Sequence, residues 1–167
     1  TPEDSYQSAL LCCLQMIKAG ITGFADAGGV HMHRVADAVL ESGMRAVLTR
    51  STMDVGDFIT GEMKDTTTGN IDKTEQLFRQ YHGAGDGRIQ IWFGMRQVMT
   101  CSRDLIEALS TRSKELGTGV HGHLCEHKDE VAFCLEKYHR RPVEFLYDVG
   151  LLAKNFTAAH CVLLSAH

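Results

Sequence analysis

The residues best suited to hydrolytic chemistry lie in the second half of the chain. His121 and His123 stand at i and i+2 in the stretch Gly119-Val-His-Gly-His-Leu124, which has strand character, so their side chains share one face. Glu126 follows three residues after His123, and His160 closes a second apolar stretch, Ala158-Ala159-His160-Cys161. A neutral imidazole is a good metal donor near neutral pH. A carboxylate beyond it can take a proton from water that a metal has acidified to a pKa of about 7. It can then return the proton to a leaving nitrogen, serving first as base and then as acid. The pattern predicts His123 as a metal ligand and Glu126 as the proton carrier, with His160 as a second strand-end histidine completing a hydrolytic constellation. For each histidine alone the competing reading is a hydrogen-bonded core residue. His82, His127 and His139 fall in or near predicted helices and read as solvated side chains. His31-Met32-His33 has the spacing of a metal pair, but it opens a helix and is predicted not to be one.

The elements that must position these groups follow from periodicity. Helices are predicted over 3–18, 32–42, 71–81, 102–116, 128–138 and 142–147, and strands over 21–25, 44–48, 88–93, 119–124 and 156–160. Leu10, Leu11, Leu14 and Ile17 recur at helical spacing after Pro2, Glu3 and Asp4, which suit a helix start. Gly20, Gly43, Gly117 and Gly150 are expected to end helices, and Ser102 to cap one. Residues 50–70, rich in Thr, Gly and Asp, read as a long loop of the kind that is often functional. No two strands are adjacent in sequence, which predicts a parallel sheet of βαβ units. An open doubly wound sheet and part of a (β/α)8 barrel both satisfy that order. Neither GxGxxG nor GxxxxGK[ST] is present, and Gly83-Ala-Gly85-Asp-Gly87 precedes a strand, so a phosphate cradle is not expected. In both architectures functional groups gather at the C-terminal ends of strands. His123 and His160 stand at such ends, as do Asp26 and Asp54.

Composition narrows the partners. The chain has 167 residues, 44% hydrophobic and 23% charged, with 17 basic against 21 acidic residues and a net charge of −4. That predicts a soluble globular protein without the basic cluster a nucleic-acid partner would need. No apolar run approaches the roughly 20 residues that span a bilayer. The six cysteines include the adjacent pair Cys12-Cys13 and the apolar-flanked Cys134 and Cys161, and no CxxC occurs. Reduced cysteines in a cytoplasmic protein are expected.

His121-Gly-His-Leu-Cys-Glu126 resembles the fifth-strand motif of the amidohydrolase superfamily, in the branch holding chlorotriazine hydrolases, cytosine and guanine deaminases, and methylthioadenosine/S-adenosylhomocysteine deaminases. Arg141-Pro-Val-Glu144, Gly150-Leu-Leu and Ala158-Ala-His-Cys161 follow in the order that resemblance requires. Upstream, Gly20-Ile-Thr-Gly-Phe-Ala-Asp26 is similar to the second strand, residues 36–46 to the following helix and third strand, and Thr100-Cys-Ser102 to the segment after the fourth. The resemblance implies a metal-dependent (β/α) barrel of TIM type that hydrolyses a C–N bond, by deamination of a purine, pyrimidine or triazine-like heterocycle. It makes His123 a ligand of one divalent metal, Zn2+ or Fe2+, Glu126 the proton shuttle, and His160 the residue that polarises the water or the scissile bond. It places Arg96 and Gln97 where the family contacts substrate.

The family also draws metal ligands from an HxH motif on its first strand and an aspartate on its eighth, and neither strand is present here. Five strands occupy the whole chain, whereas a (β/α)8 barrel takes about 250 residues. The sequence starts at Thr1 without an initiating Met or a basic leader and stops shortly after His160. Residues 1–167 are therefore expected to be strands two to six, the central part of one barrel domain, with no second domain. Such a piece would be inactive alone and prone to associate through its open strand edges. The whole protein is expected to be a homo-oligomer. On the residues alone, a catalytically incomplete fragment and an unrelated α/β binding protein with structural histidines remain alternatives.

Overall fold

The computed structural model describes residues 1–57, 59 and 61–165. Its elements run α1 (Pro2–Lys18), β1 (Gly23–Gly29), α2 (Met32–Ser42), β2 (Arg45–Thr52), a single 3-10 turn (Gly61–Met63), α3 (Thr67–Tyr81), β3 (Ile89–Met95), α4 (Arg103–Glu115), β4 (Val120–Leu124), α5 (Lys128–Tyr138), α6 (Pro142–Asp148) and β5 (Phe156–His160). The five strands form one sheet in the order β1-β2-β3-β4-β5, and every pair is parallel. A doubly wound sheet reverses its strand order at a switch point, and a barrel does not. The unbroken order decides for a section of a (β/α) barrel.

The helix signals act as expected at both ends. Thr1 and Asp4 form a reciprocal capping box ahead of α1, and the Ser102 hydroxyl accepts from the Leu105 amide at 3.1 Å to open α4. Gly43 takes the left-handed conformation (φ 78) that ends α2. The face of α1 differs from the one its leucines suggest. Cys13 and Met16 turn inward, while Leu11, Leu14 and Ile17 stay exposed. Two apolar clusters back the sheet. One gathers Met32, Val39, Leu48, Leu77, Ile89 and Ile91 beneath the first strands. The other sets Leu105, Ile106 and Leu109 of α4 with Phe93, Val120 and Leu146. Each such fully buried side chain is worth about 1.5–3 kcal/mol in transfer from water.

The expected 50–70 loop is the main correction. Phe58 and Thr60 lie outside the described residues, but the segment is shorter than predicted at both ends. β2 continues through Thr49-Arg50-Ser51-Thr52, all buried, and α3 begins at Thr67 with the Thr66 hydroxyl accepting from the Gly69 amide. Polar composition suggested a loop because those side chains bond inward: Thr49 Oγ1 donates to the Asp26 carbonyl at 2.8 Å, and Thr52 Oγ1 donates to the Gly94 carbonyl. Strand β1 also starts later and runs further than 21–25, with a break in register between Asp26 and Gly29. Gly28 sits in that break at φ 92. A Cβ there would lie 2.5 Å from the Thr49 carbonyl oxygen, so the close approach of β1 to β2 requires glycine.

Candidate active site

The C-terminal rim of the sheet brings four of the predicted residues together. His121 and His123 extend from β4 on one face, their ring centroids 5.9 Å apart. Both are buried, at 8% exposure. Both ring nitrogens of His121 and Nδ1 of His123 have no hydrogen-bond partner among the described residues. Burial lowers the pKa of each ring. At His121 it acts against the Asp26 charge, and at His123 it is reinforced by the positive charge of Arg96. Both imidazoles are thus held toward the neutral, ligand-competent form.

His160 reaches this cluster through its backbone. It pairs with Leu124 in the ladder, so regular alternation would aim it away from His123. Left-handed conformations at His160 (φ 70) and Cys161 (φ 55) break the alternation. The His160 ring lies over His123 with centroids 5.4 Å apart and planes 29° from parallel. Its Nε2 is 3.5 Å from Glu126 Oε1. Non-glycine residues at positive φ cost about 1–3 kcal/mol each and gather at functional sites.

Glu126 leaves β4 through a third such residue, Cys125 (φ 53). Its turn is pinned by Glu130, whose carboxylate accepts from the Cys125 amide at 3.1 Å and the Glu126 amide at 3.0 Å. Glu130 is 1% exposed, and burial raises its pKa against the effect of those two amides. The other oxygen of Glu126, Oε2, accepts from Gln97 Nε2 at 2.9 Å. Gln97 and Arg96 follow β3, and Arg96 makes no ion pair among the described residues. Sequence reasoning missed Glu130; its one signal is a glutamate in the first turn of α5, one helical turn past Glu126.

Other chemistry-bearing residues are engaged elsewhere. Asp54 Oδ1 accepts from the Ser102 amide, and Oδ2 from the hydroxyls of Ser102 and Thr67, at 2.6–2.8 Å. Asp26 Oδ1 accepts from the Gly28 amide at 2.7 Å. His31 is the residue preceding α2 and His33 lies exposed on its first turn, as expected for a helix opening. All six cysteines are free, and burial pushes the Cys125 thiol beside the site up to about 11, so it is protonated near neutral pH. Among the described residues, no three His, Cys, Asp or Glu side chains converge to hold a metal ion. The buried Nδ1 of His123, without a partner, fits the chemistry of one metal donor position.

An all-parallel sheet in chain order, with histidines and a glutamate at neighbouring strand ends, defines the class: a section of a (β/α) barrel with its candidate site on the C-terminal rim. The chain matches the amidohydrolase family over residues 1–167 and belongs to it. It is 39% identical over 163 residues to a 5-methylthioadenosine/S-adenosylhomocysteine deaminase of Desulfitobacterium hafniense (strain Y51), covering 98% of the chain and 36% of that protein. It is 38% identical over 165 residues to a 5'-deoxyadenosine deaminase of Methanobrevibacter smithii, covering 99% and 36%. The chain thus spans about 36% of the length of these relatives. Its fold matches atrazine chlorohydrolase TrzN from Arthrobacter aurescens TC1 complexed with zinc, with a TM-score of 0.89 at 22% identity, over 99% of this chain and 39% of that one. It also matches guanine deaminase from C. acetobutylicum with bound guanine, with a TM-score of 0.87 at 20% identity, over 99% and 40%. No helix among the described residues is long and apolar enough to cross a membrane.

Proposed function

We propose that residues 1–167 are the central part of the barrel of a metal-dependent amidohydrolase that hydrolytically deaminates a purine, pyrimidine or triazine-like heterocycle. The observation that carries this reading is the Glu126 carboxylate, set between Gln97 and His160 beside the buried His123, whose Nδ1 has no partner, in a chain of this family. His123 would hold one divalent ion, Zn2+ or Fe2+, together with donors outside residues 1–167, and the ion when bound would acidify the attacking water. Glu126 takes a proton from that water as the new C–O bond forms at the amino-bearing ring carbon. It then delivers the proton to the amino nitrogen, the C–N bond breaks and ammonia leaves. His160, with Nε2 near Glu126 Oε1, polarises the water or the scissile bond. Arg96 and Gln97 border the substrate, and the Arg96 guanidinium donates to acceptor atoms of the heterocycle. We place the enzyme in the cytoplasm as a homo-oligomer without a nucleic-acid partner.

The test is ammonia release by the purified full-length protein from methylthioadenosine, deoxyadenosine and guanine, with metal content measured on the same sample. The expected result is turnover of at least one of them, abolished by chelation and by His123→Ala. Metal-free protein with full turnover, or a His123→Ala variant with unchanged metal and rate, overturns the reading.

A further inference from the structure

Glu126 is 38% exposed, and a glutamate so placed would ordinarily sample several rotamers. Glu130 fixes its backbone through two amides but touches neither carboxylate oxygen. The head of the side chain is held by Gln97, whose Nε2 donates to Oε2 at 2.9 Å. Gln97 itself sits on a stiff turn. Its carbonyl accepts from the Thr100 amide at 3.1 Å and the Thr100 hydroxyl at 3.3 Å, and the adjacent Val98 is fully buried. The preceding Arg96 amide donates to the Thr52 carbonyl at 3.3 Å, which ties the turn to the end of β2. The donor is thus presented from a backbone fixed independently of Glu126.

We infer that Gln97 is a positioning residue: its amide occupies Oε2 of Glu126 and fixes the rotamer that leaves Oε1 as the proton-transfer atom facing His160. This rests on the reading of Glu126 as the proton shuttle. An amide donor suits the task because it directs a carboxylate without competing for the transferred proton, as a second acid would. The side-chain oxygen of Gln97, Oε1, stays available to the substrate, so the role toward Glu126 must be separated from binding.

The experiment uses the full-length, metal-loaded protein and ammonia release from its best substrate among methylthioadenosine, deoxyadenosine and guanine. Gln97→Met keeps the side-chain length and removes the donor. The expected result is a fall in kcat of about 30–100-fold, the scale set by a misplaced catalytic group, with KM within about twofold and metal content unchanged. Gln97→Asn, which keeps the amide but shortens its reach, is expected to lose kcat to a similar degree. In a Glu126→Gln background, Gln97→Met is expected to add nothing, since the group it positions no longer carries the proton. Unchanged kcat in both Gln97 variants, a loss confined to KM, or an equal further loss in the Glu126→Gln background overturns the inference. Wild-type kcat in Glu126→Gln alone overturns the proton-shuttle reading instead, so the two failures are distinguishable.

Discussion

The ends of β1 and β2 and the ends of β4 and β5 lie on the same rim of one parallel sheet, and both are polar. At the first pair the protein answers its charged groups and leaves the Ser51 hydroxyl as the one buried side-chain group of those strand ends without a partner among the described residues. Asp54 is taken up by Ser102 and Thr67, Asp26 by the Gly28 amide, and Arg50 by the Asn70 side chain at 2.8 Å and the Glu62 carbonyl at 3.4 Å. At the second pair His121 and His123 keep buried ring nitrogens without partners, and three non-glycine residues adopt positive φ. Buried polar groups are ordinarily hydrogen-bonded, and strained backbone persists where the surrounding structure enforces it. The contrast separates a rim whose charged side chains are satisfied within the chain from one that keeps imidazole nitrogens buried and unpaired on a strained backbone.

Substitutions in the full-length protein can break that contrast, and the largest effect is expected at His123. His123→Ala should abolish both tight metal binding and ammonia release, read by elemental analysis and a coupled ammonia assay. Glu126→Gln should lower kcat by about 10²–10⁴-fold while metal content stays at the wild-type level. On the other rim the expected loss moves from activity to stability. Asp54→Ala removes an acceptor shared by three donors and should cost about 2–3 kcal/mol in denaturant unfolding, with kcat per folded molecule unchanged. Gly28→Ala forces a Cβ against the Thr49 carbonyl and should cost about 1–3 kcal/mol in the same measurement. Smallest is His33→Ala, on the exposed start of α2, expected within about 0.5 kcal/mol of the parent and with unaltered metal content. A loss of metal in His33→Ala, or a loss of kcat in Asp54→Ala at full folding, would erase the distinction between the rims.

Much of this was legible in the sequence, because the strands and helices announce themselves by period and by their caps. Ser102, Pro142 and Gly43 stand where the helix signals put them, and β4 placed His121 and His123 on one face by alternation alone. What escaped was written in tertiary contacts. Thr49-Arg50-Ser51-Thr52 looked like loop because their hydrogen bonds inside the sheet have no local signature. His160 stands on the wrong side of the ladder for its contact with His123, and only the left-handed backbone brings it across. The Gln97–Glu126 bond joins residues on different strand ends, and Glu130 reads as an ordinary helix-start acid until its two backbone partners are seen.

Two bonds tie the ends of β4 and β5, from the Cys161 amide to the Leu124 carbonyl at 2.9 Å and from the Leu163 amide to the Cys125 carbonyl at 3.0 Å, and act as a clamp across the candidate site. They couple the backbone that carries Glu126 to the backbone that carries His160, so the two candidate proton-handling groups are held as one unit. Arg96, just past the end of β3, lies outside that clamp. A substitution at Arg96 can therefore change the surroundings of the site while the clamp itself stays closed.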